Sequence, residues 1–409
     1  MERTQAGFMF EYFPDNYSWS LSTHMAIDAS GEISEIDDIC EPLKPLAARG
    51  EEHAQDWFDA WSGAAERLVR LASADEELGH SSAAGRKLLR AGAYSMFAER
   101  QILDKSDRTQ ATYQRAVELF ANGVGALGEP VERVEVPFGE KSLPALFVPA
   151  IGADEQAPTM IHFSGLDVNK ELIYLLGASE LPRYGVSVLI CDHPGVGEAL
   201  RFRDLHATHE SEEPAAACVD YLEGRADVDR ERIGIMALSL GGYYAPRAAA
   251  FEQRLRCCVL WGAIWSMPEI MEYVDTQPGS EVSVPLDEQF RWVMGLDSVE
   301  QVREDLERWQ LTDVMDRIRV PILTVHGAND RQAPVLLAEK TQAAAINSPR
   351  SDLKVLTIED GGAEHCQIDN VTMGTDYMFS WIAEVLGGDP AGRRGARGGE
   401  QESPTTVAG

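Results

Sequence analysis

The sequence predicts an α/β fold: a mostly parallel, doubly wound sheet behind a helical N-terminal segment, with a helical insertion late in the chain. Two observations carry that expectation. From about residue 131 to 387, short β-branched runs alternate with helical stretches, and several runs are nearly all apolar, as in strands buried on both faces. Before residue 128 this alternation is missing, and apolar residues recur instead at three- and four-residue steps.

Taken in order, the helical patterns lie at 51–73, 81–103 and 107–127. In the first, Trp57, Trp61, Ala65, Leu68 and Leu71 form one apolar stripe. Ser106 before Asp107 is an N-cap for the third, and Gly128 and Pro130 close it. Residues 1–128 are therefore expected to form a mostly helical cap domain. Strand runs follow at 131–136, 143–149, 159–163, 186–191, 232–238, 256–261, 320–326 and 352–358. The turn at Gly139 makes an antiparallel hairpin of the first two, while the later connections are long enough for crossover helices. Residues 129–387 then form the core domain. Within it, 265–315 is too long for a plain connection and carries helical patterns at 287–295 and 299–310. From 388 to 409 the chain is rich in Gly and Arg without apolar periodicity, and a disordered tail is expected.

Composition narrows the function. The 409 residues carry 67 Asp+Glu against 36 Lys+Arg, a formal charge of −31. That field repels phosphate backbones and anionic lipid, which argues against nucleic-acid and membrane partners. No apolar run approaches the roughly 18–20 residues of a membrane span. The N-terminus has polar breaks where a signal peptide has an apolar stretch. Cys40, Cys191, Cys218, Cys257, Cys258 and Cys366 show no metal-ligand spacing, so reduced thiols and a cytoplasmic location are expected. Neither a metal nor an organic cofactor is implied.

The chemistry begins at Ala237-Leu238-Ser239-Leu240-Gly241-Gly242, where an apolar strand turns directly into a helix. A serine at such an elbow exposes its hydroxyl at the C-terminal edge of the sheet and at a helix N-terminus. Ala237 stands where glycine is usual, the smallest departure available. A serine hydroxyl needs a base, and the base needs an orienting acid. Asp330 follows the strand at 320–326, and His365 follows the one at 352–358. The order Ser, Asp, His at the ends of successive strands is the one this architecture uses. Taken singly, Asp330 reads as a turn residue and His365 as a surface histidine. His326 is the nearest rival base, but it precedes the acid loop. For the oxyanion, Leu240 N–H is one donor, and the second comes from Leu166 N–H or, alternatively, Gly165 N–H. His162 reads as a strand residue with a structural hydrogen bond.

Gly165-Leu166-Asp167-x-x-Lys170-Glu171, Asp192-x-Pro194-Gly195-x-Gly197-Glu198, the Ser-Leu-Gly-Gly elbow and Trp261-Gly262 resemble one group of the α/β-hydrolase fold. That group includes bacterial dihydroxypseudooxynicotine hydrolase, fungal polyketide-shortening hydrolases and the fermentation–respiration-switch esterase-like proteins. The resemblance implies a helical N-terminal domain over the C-terminal edge of the sheet, with the site in the cleft between, and a homodimer. It also implies cleavage of a carbon–carbon bond beside a ketone, in a β-diketone or polyketide-like aryl ketone, or else simple esterase activity. The triad serves either reaction, so a carboxylesterase or acyltransferase stays open. A non-catalytic binding protein on the same fold is the reading from another class.

Pocket candidates are Trp261, Trp265 and Met267 at the start of the insertion, Tyr243 after the nucleophile, and Tyr17, Trp19, Tyr94 and Phe97 from the N-terminal segment. For each N-terminal aromatic the alternative is ordinary packing. Glu269 is placed to protonate a carbon leaving group, or else is a solvated helix-face residue.

Overall fold

The computed structural model describes residues 10–103, 105–152, 156–278 and 281–392. Its strands are β1 (Glu132–Phe138), β2 (Lys141–Val148), β3 (Ala157–Phe163), β4 (Ser187–Cys191), β5 (Val228–Leu238), β6 (Cys258–Trp261), β7 (Ile322–Gly327) and β8 (Ser351–Leu356). They form one sheet in the order β1-β2-β4-β3-β5-β6-β7-β8. β1 and β2 make the expected hairpin, β2 also runs antiparallel to β4, and every other pairing is parallel. Strands β3, β4 and β6 are buried at every position, which is why they read as unbroken apolar runs.

Five helices precede the sheet: α1 (Tyr17–Asp28), α2 (Ile33–Cys40), α3 (Ala54–Glu77), α4 (Ser81–Arg100) and α5 (Asp107–Leu127). The stripe on α3 runs Trp57, Trp61, Ala65, Leu68 and Ala72, while Leu71 is exposed. At 3.6 residues per turn these five residues share an arc of about 80°, and Leu71 falls about 40° outside it. Ser106 occupies the N-cap of α5, but its side chain makes no capping bond. Gly128, at φ 71°, closes α5 in the left-handed conformation. The sequence pattern missed α1 and α2. In α1 even Ser20, Ser22 and Thr23 are buried, so no polar face contrasts with the apolar one.

Between the strands lie α6 (Lys170–Leu175), α7 (Gly197–Arg203), α8 (Glu212–Glu223) and α9 (Gly241–Phe251). The insertion holds α10 (Met267–Thr276), α11 (Leu286–Met294) and α12 (Val299–Leu306), with α13 (Val335–Ala344) and α14 (Val371–Leu386) after it. Of these, α10 was not foreseen; Ser266 caps it by accepting from Glu269 N–H, with Pro268 in its first turn.

The core has two parts, one on each side of the sheet. On one side α1–α5, α14 and strand residues such as Val148, Ile190 and Met236 form a single apolar cluster. On the other, α8, α9 and the insertion helices pack on Phe147, Ile161 and Leu260. The N-terminal helices thus share their core with the sheet. At the other end, Gly388 N–H donates to Ala383 O and Asp389 N–H to Tyr184 O. Disorder therefore does not hold for 388–392, while the rest of the expected tail, 393–409, lies outside the described residues. Among the described residues, no helix is long and apolar enough to cross a membrane. All six cysteines are free and buried.

Candidate active site

The strand–turn–helix at the end of β5 puts Ser239 at φ 59°, a left-handed conformation that a non-glycine residue adopts only when its surroundings impose it. The surroundings are tight. A Cβ on Gly241 would come within 2.5 Å of the Ala237 methyl, and one on Gly242 within 2.1 Å of Gly262 O. Ala237 is thus tolerated in the elbow because Gly241 leaves room for its methyl. Ser239 N–H donates to Trp261 O at 2.8 Å and Gly242 N–H to Ser239 O at 2.7 Å, which lock the bend.

Asp330 and His365 arrive on the loops after β7 and β8. Those loops are cross-tied: Asn329 Nδ2 donates to Glu364 Oε1 at 2.6 Å, and Arg331 Nε reaches Glu364 Oε2 at 3.2 Å. The result is a continuous row. His365 Nε2 lies 2.8 Å from Ser239 Oγ, and His365 Nδ1 lies 2.7 Å from Asp330 Oδ2. The other oxygen of Asp330 accepts from Gln332 N–H and Ala333 N–H, each at 2.9 Å. Burial opposes a charge on either partner. It is outweighed by their mutual attraction, so the imidazole is held well above the ordinary histidine range and the carboxyl below its own.

His326, the rival, lies 3.6 Å from Asp330 Oδ2, but both its nitrogens are engaged. Nδ1 accepts from Ala263 N–H at 3.1 Å and Nε2 donates to Ala333 O at 2.9 Å. Burial lowers its pKa, so it stays neutral and structural. His162 is likewise a buried strand residue whose Nδ1 sits 3.0 Å from Phe163 O.

The loop after β3 closes over the serine. A Cβ on Gly165 would lie 2.8 Å from Ser239 Cβ and 3.0 Å from Leu238 O. Leu166 and Leu240 line one cavity together with Ser239 and His365. The backbone N–H groups of Gly165, Leu166 and Leu240 have no acceptor among the described residues, which leaves them available to an oxyanion. A buried charge cluster anchors this loop. Lys170 Nζ reaches Glu198 Oε2 at 2.6 Å, Glu171 Oε1 at 2.7 Å and Asp192 Oδ2 at 2.9 Å. Asp192 also accepts from the N–H groups of Lys170 and Glu198, both at 2.9 Å. Burial pushes Glu171 up to about 7.

Two apolar compartments meet at Ser239 and His365. One is walled by the insertion through Ile264, Met267, Ile270 and Phe290. The other is walled by Leu21 and Met25 of α1, by Trp261 and by Val371, with Arg100 and Asp167 on its lining. Ser283 and Gln332 border both.

Of the pocket residues expected from sequence, Trp261 and Met267 line these walls, and the other seven do not. Tyr94 is fully buried between helices, its ring against Trp61 and its hydroxyl donating to Glu35 Oε2 at 2.8 Å. Tyr243 stacks on Trp309 and donates to His209 O at 2.9 Å, within the core packed beneath the insertion. Trp265 is half-buried against the core under the insertion. Glu269 pairs with Lys340 at the surface, which removes it from the cleft. Trp19 and Phe97 pack within the aromatic cluster of the N-terminal helices. Tyr17 stands behind the wall, its hydroxyl accepting from Gln332 Nε2 at 3.2 Å. Leu21 and Met25 were missed, since on a helix lining residues and core residues carry the same apolar signal, and Arg100 because it reads as one more charged residue at a helix end.

The family model described as Esterase FrsA-like matches residues 52–378. The chain belongs to the FrsA-like esterase family. Among relatives of this chain, the 2,6-dihydropseudooxynicotine hydrolase of Paenarthrobacter nicotinovorans is 27% identical over 83% of the chain and 88% of its own length. Hydrolase acrC of Aspergillus aculeatus is 29% identical over 64% of the chain and 65% of its own. The crystal structure of 2,6-dihydroxy-pseudo-oxynicotine hydrolase superposes with a TM-score of 0.71 at 26% identity, covering 91% of this chain and 97% of the other. AbyA5, at 21% identity and a TM-score of 0.63, shares the fold. The FrsA-like chain is a hydrolase of the α/β-hydrolase fold.

Proposed function

We propose that Ser239 is the nucleophile, His365 the general base and acid, and Asp330 the orienting carboxylate of a hydrolase that cleaves a C–C bond beside a ketone. The observation that carries this is the unbroken Asp330–His365–Ser239 row, at 2.7 and 2.8 Å. His365 Nε2 takes the Ser239 proton as Oγ bonds to a ketone carbonyl carbon. The oxyanion is received by the N–H groups of Leu240 and of Leu166 or Gly165. Collapse breaks the bond to the neighbouring carbon, which leaves as an enolate or phenolate-like carbanion and takes the proton from His365. Water then gives a proton to His365 and its oxygen to the acyl carbon; Ser239 recovers the proton and a carboxylic acid departs.

The choice of a carbon leaving group is supported by the sequence resemblance and by the relative named 2,6-dihydropseudooxynicotine hydrolase, which pairs with nearly the whole chain. The second reading, a carboxylesterase or acyltransferase, is favoured by the description of the family itself. It uses the same atoms with an alkoxide leaving group. Turnover of 1,3-diketones against p-nitrophenyl esters separates the two. Ser239→Ala removes either activity, by about 10⁶-fold, and removes labelling by a fluorophosphonate; a variant that keeps its turnover overturns the assignment. A cytoplasmic location agrees with six free thiols, and a homodimer follows the resemblance; sedimentation tests the latter.

A further inference from the structure

We propose that Arg100 is a specificity-determining residue, whose guanidinium hydrogen-bonds a ketone or phenol oxygen on the substrate fragment held in the compartment between α1 and Trp261. The inference rests on Ser239 as the nucleophile and deepens that reading by naming what the far side of the substrate carries.

Arg100 ends α4 and its side chain is 4% exposed. Nη1 donates to Ser22 Oγ at 2.7 Å, and Nη2 pairs with the Asp167 carboxylate. Nε is buried and has no partner. A guanidinium has five N–H donors in a rigid fork, and a buried one left unmet costs free energy that an acceptor on a ligand would recover. Arg100 also borders the compartment that contains Ser239 and His365. It is the one cation among that compartment's lining residues apart from His365 itself. The indole N–H of Trp261, on the same wall, is already taken by Cys366 O and Gln367 Oε1.

The charge balance selects the ligand class. Asp167 neutralises Arg100, so a full carboxylate on the substrate would meet a carboxylate already in place. A ketone or phenol oxygen is neutral on binding and gains charge only as the C–C bond breaks. A donor beside that oxygen helps most in the transition state.

Titration calorimetry on Ser239→Ala with benzoylacetone, and with butyrophenone, which lacks the second ketone oxygen, tests this. The diketone is expected to bind about tenfold more tightly, the worth of one charge-assisted hydrogen bond. Adding Arg100→Gln should bring the ratio of affinities to about one. Should loss of the charge prevent folding, Arg100→Gln with Asp167→Asn removes both members of the pair, leaves no unpaired carboxylate and should give the same collapse. A ratio that survives the substitution, or no preference in Ser239→Ala, overturns the proposal. Wild-type turnover of benzoylacetone reads the reaction class separately: Arg100-dependent binding without turnover upholds this assignment and removes the C–C reading.

Discussion

Ser239, His365 and Asp330 stand 2.8 and 2.7 Å apart on three loops held by backbone hydrogen bonds, buried carboxylates and a left-handed serine. The walls on either side of them come from α1, α10 and α11, helices that meet the cleft with Leu21, Met25, Met267, Ile270 and Phe290. The row depends on tenths of an ångström and on particular atoms. The walls depend on volume and apolar area, which several residue types supply equally well. Chemistry and substrate choice are therefore separable on this fold, and substitutions should separate them.

The largest test of that contrast is Asp330→Asn. The amide keeps the size of the carboxylate and loses its charge, so His365 is neither held in the right tautomer nor stabilised as an imidazolium. A fall in kcat of about 10⁴ is expected. The pH profile should move with it. As the proposed base, His365 can act only when neutral, and Asp330 raises its pKa above that of free imidazole. The acid limb of kcat/KM in the wild type should therefore have its midpoint above about 6.5, with activity lost as pH falls. In Asp330→Asn the midpoint should move down. A limb that stays in place in both proteins would detach Asp330 from the row.

Gly165→Ala sits between the two regions. The new methyl meets Ser239 Cβ at 2.8 Å and the backbone oxygen of Leu238 at 3.0 Å, and the latter has little freedom to give. The loop that offers the Leu166 N–H must shift. Loss of one oxyanion donor costs about 10²-fold in kcat, with KM little changed. A rise in KM alone would make Gly165 part of the walls instead.

The same contrast explains what was legible in the sequence. All eight strands and the three positions of the row could be read, because β5, β7 and β8 each deliver one polar residue from an apolar run at the same edge of the sheet. Ala237 in the elbow did not hide the motif, since Gly241 gives up the space. The walls could not be read in the same way. Tyr94 and Trp261 are both large aromatics next to helical or strand signals, and only packing decides that one fills a core and the other faces the cleft. Helix α1 was invisible because burial all round removes the periodicity that reveals a helix. Arg100 read as one more charged residue at a helix end, and its role depends on Ser22 and Asp167, neither adjacent in sequence.

The smallest expected effect belongs to Glu269, a carboxylate that its place at the start of the insertion recommends as a proton donor and that geometry sends elsewhere. Its N–H caps onto Ser266 and its side chain pairs with Lys340, the two being 39% and 38% exposed. An ion pair at that exposure contributes about 0.2–1 kcal/mol, since water screens it and ordering two long side chains offsets it. Glu269→Gln should thus leave kcat/KM for a 1,3-diketone within about twofold, the size expected of a surface substitution remote from the reacting atoms. The proton for the leaving carbon would then come from His365, which already carries it at the moment of collapse. A tenfold loss of kcat confined to carbon leaving groups, with p-nitrophenyl ester turnover intact, would mean that the first turn of α10 swings Glu269 into the cleft when substrate binds. In that case the walls would belong to the chemistry after all.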